Sequence, residues 1–145
     1  MKLHKVIKKV LTEKETQELL RTLQLFQGWI KSRGLTTKGP LITLSSPIVE
    51  DGITRIQTSL LSQLVDVPHR KPEYPYFVID ELRVDNCLYT RFCGDQTHIV
   101  LAHSKINVYA YENFMTVTGN TYTVFLADND GAFTADIFAE VRNDA

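Results

Sequence analysis

The sequence predicts an α+β fold: a tandem βαββ repeat forming a curved antiparallel sheet with two helices on one face. Three observations carry this. Helical periodicity appears in only two long stretches, each preceded by a short strand-like run. Each stretch leads to a strand, an acidic-glycine turn ("EDG" at 50–52, "DNDG" at 128–131) and a final strand. A proline-bearing linker, 66–83, separates half-repeats 3–65 and 84–141 of similar length. Three strands and one helix bury too little alone, so the halves are expected to share one core within a single domain spanning 1–145.

The elements follow in order. "LHKVIKKVL" (3–11) is β-branched-rich and short enough for a strand. Thr12 and Glu15 have the spacing of a capping box, which starts a helix from about 13 to 33. Leu19, Leu23, Phe26 and Ile30 form its apolar stripe, and Gly34 suits its C-terminal turn. "LITLSS" (41–46) and "ITRIQTSLLSQLV" (53–65) read as strands. The second places Ile56, Leu60 and Leu64 on one face and Arg55, Gln57 and Ser59 on the other. After the linker, a strand runs through "VDNCLYTRFC" (84–93), with Val84, Leu88 and Phe92 facing the helices. Gly94 breaks it and Asp95 caps a second helix, about 96–114. "TYTVFLA" (121–127) and "FTADIFAEV" (133–141) are the closing strands.

Composition narrows the function classes. A formal charge of −1 gives no global pull towards nucleic acid or an anionic membrane. The local cluster Lys2, Lys5, Lys8, Lys9 reads as protection of a solvated or edge strand, with a nucleic-acid or lipid patch as the other reading. The lysine-interrupted start lacks a signal-peptide core, and no apolar run reaches membrane length. Cys87 and Cys93 lie too far apart along one strand to bridge, and free thiols fit a reducing cytoplasm. No cofactor motif occurs, and His4, His69, His98 and His103 lack metal-ligand spacing. "TRFCGDQTH" (90–98) holds Cys93, Asp95 and His98 close together, but no orienting group or oxyanion site accompanies them. It reads as a strand-to-helix corner, with a reactive Cys93 as the competing reading.

Three stretches carry a family resemblance: "LYTRFCGD" (88–95), "YTVFL" (122–126) and "TADIFAEV" (134–141). They resemble the GyrI-like small-molecule-binding domain, also found as the effector-binding half of AraC-type and multidrug-sensing regulators. The resemblance implies two βαββ units and a ligand site on the concave sheet face. Many members of that family carry a glutamate for cationic ligands where this chain has Thr123, and a proline where it has Glu140. A sensor of lipophilic cations is therefore not implied. The chain has no helix-turn-helix segment, and it is similar to short stand-alone GyrI-related proteins of Gram-positive bacteria. Some of those are encoded beside secreted-toxin clusters, which implies a protein partner as a second role.

The expected ligand-binding residues are Arg55, Gln57, Tyr89, Arg91, Thr123, Phe125, Asp136 and Phe138, all placed by alternation on the open sheet face. The competing reading is a solvated face with Arg91–Asp136 as a cross-strand ion pair. No catalytic residue is assigned, although a small hydrolase using Asp136 stands as a third reading. Both helices carry apolar residues beyond their core stripes: Leu20, Leu25 and Trp29 in the first, Leu101 and Val108 in the second. Either the helices pack on each other as well as on the sheet, or they form a homodimer or protein-partner interface.

Overall fold

The computed structural model describes residues 1–129 and 132–142. Its elements are β1 (Lys2–Val10), α1 (Glu13–Gln17), α2 (Leu19–Ser32), β2 (Thr37–Glu50), β3 (Ile53–Leu64), β4 (Tyr76–Arg83), β5 (Cys87–Gly94), α3 (Ile99–Glu112), β6 (Val117–Asn129) and β7 (Ala132–Val141). A single 3-10 turn, Gln96–His98, precedes α3. The seven strands form one curved antiparallel sheet in the order β4-β1-β3-β2-β6-β7-β5.

Local chemistry sets the helix boundaries. Thr12 Oγ1 accepts from the Glu15 amide while Glu15 Oε1 accepts from the Thr12 amide, so the capping box forms as the spacing predicts. The single helix expected over 13–33 is instead two pieces. Thr22 Oγ1 donates to the carbonyls of Glu15 and Glu18, at 2.8 and 3.0 Å, and the backbone leaves the helical region at Glu18. In the β2–β3 hairpin Asp51 and Gly52 both take positive φ, the requirement of a tight two-residue turn. The second acidic-glycine turn reaches residues 130–131, which lie outside the described residues.

The register assigns the two sheet faces. On one, Ile7, Leu60 and Leu64 pack against Phe26 and Ile30 of α2, and Leu88, Phe92, Ile137 and Ala139 pack against Ala102 and Ile106 of α3. Both long helices therefore cover the same face. Burial of Phe26, Ile30 and Leu60 contributes about 1.5–3 kcal/mol each. On the other face Val6, Ile42, Leu44, Leu61, Val84 and Tyr122 form a second buried cluster, with Val124 and Phe138 packed on it. No described helix lies there. The covering comes from curvature and from the link between β4 and β5. These are the two edges of the sheet, yet only residues 84–86 join them. Val84 enters the cluster, so the link crosses the concave face.

Three expectations are corrected. Residues 66–83 are not all linker, because 76–83 form β4 alongside β1. In consequence β1 is an interior strand, and its lysines do not guard an edge: Lys9 is buried and paired with Glu15 at 2.7 Å, while Lys2 pairs with Glu81. Val84 faces away from the helices and lies outside β5.

The runs β1-α1-α2-β2-β3 and β5-α3-β6-β7, with β4 between them, show some matching backbone detail. β2 and β6 pair around Thr43 and Thr123, with Ile42 opposite Val124 and Leu44 opposite Tyr122. Each breaks register with its hairpin partner, between Lys38 and Ile42 and between Val117 and Thr121, and each break contains a positive-φ glycine, Gly39 or Gly119. After each long helix a positive-φ residue follows the C-cap, Gly34 in one half and Phe114 in the other.

Candidate functional site

The register brings four expected site residues together. Tyr89 lies opposite Phe138 and Arg91 opposite Asp136 on the helix-free face. The Tyr89 hydroxyl donates to Asp136 Oδ1 at 2.8 Å. Arg91 Nε donates to the same oxygen at 2.8 Å, and a terminal guanidinium nitrogen donates to Oδ2 at 3.1 Å. The Arg91 guanidinium and the Tyr89 hydroxyl hold the Asp136 carboxyl below its usual range, against the opposing effect of burial. In turn, the carboxylate raises the Tyr89 phenol and the Arg91 guanidinium. The Asp136 side chain is 15% exposed and that of Arg91 57%, so water screens the pair. Phe138 packs beside Tyr89 with ring centroids 5.1 Å apart.

The other four expected residues do not join them. Thr123 faces Ile137 and Phe125 faces Ala135, which puts both on the helical side of the sheet. Phe125 packs on Phe133, which also meets Phe92. Arg55 and Gln57 do share the face of Tyr89, but they sit in the β2–β3 hairpin opposite Ile48 and Ser46, across the sheet from β5. Arg55 is paired there with Glu50. The expected single concavity is thus divided, and its centre is filled by Val84, Tyr122 and their neighbours.

The corner at 93–98 is a turn. Asp95 Oδ1 accepts from both the amide and the hydroxyl of Thr97, and the Asp95 carbonyl accepts from the His98 amide. Asp95 therefore caps the 3-10 turn, and α3 starts after it without a side-chain cap. Cys93 is exposed and accepts a hydrogen bond from Thr134 Oγ1 at 3.6 Å. Among the described residues no hydrogen bond joins Cys93 to His98, and no group of three His, Cys, Asp or Glu side chains is placed to hold a metal.

A larger cavity lies elsewhere, beside the segment expected to be only linker. It has a volume of about 810 Å³ and opens between the C-terminal end of α2 and the loop 66–74. Trp29 and Tyr76 form an aromatic wall, stacked at 3.8 Å with 6° between their planes. The Arg33 guanidinium lies over Trp29 at 5.2 Å. Arg33, His69, Arg70 and Lys71 border the space, with Asp66 and Glu73 as its only carboxylates. Among the described residues none of these six enters an ion pair. Trp29 carried a sequence signal, because it lies off the α2 core stripe. The basic run "HRK" at 69–71 passed unnoticed between prolines. A second cleft, about 300 Å³, lies between β5 and α3, lined by Cys87–Thr90, Lys105, Ile106 and Tyr109.

No family model matches the chain, and no curated protein matches it significantly. No described helix is long and apolar enough to cross a membrane.

Proposed function

We propose that this chain is a non-enzymatic binding module for a small organic anion, held in the cavity between α2 and the loop 66–74. One observation carries the reading: a space of about 810 Å³ combines an aromatic wall with cationic side chains that have no ion-pair partner among the described residues. That volume lies in the usual range for small-molecule sites. Arg33 at the end of a helix also has the geometry to bind a carboxylate or phosphate through two parallel hydrogen bonds. The reading keeps a small-molecule ligand and moves it off the concave face, where buried side chains occupy the space. In this proposal Asp136 and Cys93 have structural roles: both Asp136 oxygens accept hydrogen bonds from Tyr89 and Arg91, and Cys93 accepts one from Thr134. The matched register breaks at Gly39 and Gly119 support a tandem βαββ origin and with it the GyrI-like resemblance.

Trp29 is the sole tryptophan, so its fluorescence reports on this cavity. Titration with a panel of aromatic and aliphatic carboxylates and phosphate esters is expected to change the emission saturably for at least one class. Arg33→Ala should weaken that binding at least tenfold, and added salt should weaken it further. A flat titration across the panel, or full affinity in Arg33→Ala, overturns the site.

A second reading has its own support. The side of α3 opposite its core stripe exposes Val100, Leu101, Val108 and Tyr111 beside Ser104 and Lys105, and α2 exposes Leu20 and Leu25 among Arg21, Gln24, Gln27 and Lys31. A helix apolar on both sides usually has something to cover it. This supports a protein-interaction role through the helical face.

A further inference from the structure

We infer that β5 is the docking edge for a second copy of this chain, paired antiparallel to its own equivalent with Thr90 opposite Thr90. The sheet ends at β5, which bonds only to β7. Among the described residues no backbone hydrogen bond reaches its other side. An open edge of this kind is a template for another strand unless charges or irregularities protect it. The opposite edge is more heavily charged, since β4 exposes Asp80 together with Glu81 and Arg83, which pair with Lys2 and Asp85. The only charge on β5 is Arg91, and Asp136 already neutralises it.

The strand "CLYTRFC" is complementary to itself. In an antiparallel pair centred on Thr90, Leu88 meets Phe92 on the helical side. On the other side Tyr89 meets Arg91 and Cys87 meets Cys93. Apolar meets apolar, an aromatic ring meets a guanidinium, and no like charges are opposed. A centre one residue later would oppose the two Arg91 side chains, and a centre one residue earlier would set Leu88 against Thr90. An odd offset would turn the second copy over and place its helices on the far face. The centre at Thr90 keeps both α3 helices on the same side of a continuous sheet. There they flank the new strand pair, and the cleft lined by Leu88, Ile106 and Tyr109 lies along the join.

The register places Cys87 of each copy opposite Cys93 of the other, with Cα atoms about 4.5–5.5 Å apart, inside the range of a disulfide. Cys93 would stand roughly 20 Å from its own equivalent. The test is sedimentation of the reduced protein, followed by oxidation with diamide. Diamide takes two electrons and two protons from each pair of thiols and leaves a disulfide. The expected results are a mass near twice 16.6 kDa and a cross-linked dimer. Cys87→Ser alone and Cys93→Ser alone should each abolish the cross-link, while co-expression of the two variants, one tagged, should restore it in the mixed dimer. A monomer at about 100 μM overturns the inference, as does a dimer that fails to cross-link. Cross-linking of either single variant with itself also overturns it, since that requires a different register.

Discussion

Replacing Gly119 by alanine adds a methyl group where neither the backbone nor the neighbours accommodate one. Gly119 sits in the register break of β6 at φ 96°, and an added Cβ would lie 2.7 Å from Pro47 Cγ and 3.0 Å from Pro47 Cδ. Pro47 is a ring fixed within β2, opposite Ile56 of β3, so it has little freedom to withdraw. The left-handed backbone costs an alanine about 1–2 kcal/mol. Displacing the proline ring or the strand costs about 1–3 kcal/mol more. The less flexible unfolded chain offsets about 0.4–1 kcal/mol. The net loss is about 1–4.5 kcal/mol, or a melting temperature lower by roughly 3–14 °C for a chain of this size. Gly34→Ala is the control, because Gly34 has positive φ but nothing within 4 Å of the added atom, so only backbone strain applies. Urea unfolding of Gly119→Ala, Gly34→Ala, Pro47→Ala and the Gly119→Ala/Pro47→Ala double variant separates the two contributions. The proline truncation should recover at least about 1 kcal/mol of the Gly119→Ala loss. Equal losses at Gly119 and Gly34, or strict additivity in the double variant, would refute the steric argument.

Two further outcomes follow from residues held under constraint. Phe114 takes φ 56° while 94% exposed, so Phe114→Gly relieves strain and gives up no burial; the urea midpoint should rise by the equivalent of about 0.5–1 kcal/mol, and a fall would show that the ring makes a stabilising contact. The Asp136 carboxyl is depressed in the folded state, chiefly by its hydrogen bonds from Arg91, so its stabilising contribution is fully present above the unfolded carboxylate value of about 3.9 and is lost as pH falls through the folded value. Chemical unfolding between pH 7 and pH 2 should show a shallower acid loss for Asp136→Asn than for wild type, and parallel profiles would remove Asp136 from the linkage.

Most of the fold was legible because its signals are local. The capping box at Thr12, the stripe through Phe26 and Ile30, and the alternation in β3 each depend on neighbours in sequence. β4 was not legible for the opposite reason. "YFVIDELR" follows a cluster of prolines, and what makes it a strand is the distant β1, whose edge it covers. The placement of the expected site residues was legible in part on the same grounds. Alternation within a strand places Tyr89 with Arg91 and Asp136 with Phe138, and the structure brings these four together. The phase of β6 relative to β7 is set by long-range pairing, which periodicity does not encode. Tyr122 and Val124 therefore took the inner face that Thr123 and Phe125 were expected to hold. The loop cavity was missed because its parts, an α2 flank, a basic run and the first residue of β4, meet only after β4 has joined the sheet.

The strand order also sets a timetable for synthesis. β1, β2 and β3, which pair with one another in the finished sheet, have all been made once residue 64 has left the ribosome, and β4, their outer neighbour, follows soon afterwards. β5 has no such neighbour, because its single partner in the sheet is β7, the last strand to be made. About forty residues separate the end of β5 from the start of β7, so at ordinary elongation rates β5 waits ~2–8 s with both of its edges open. During that interval the nascent chain presents an apolar strand with no protecting geometry, on the same ribosome-bound molecule that already carries the strands of the first half. The stretch 87–94 is accordingly where a chaperone has most to hold, and where a crowded polysome has most to entangle.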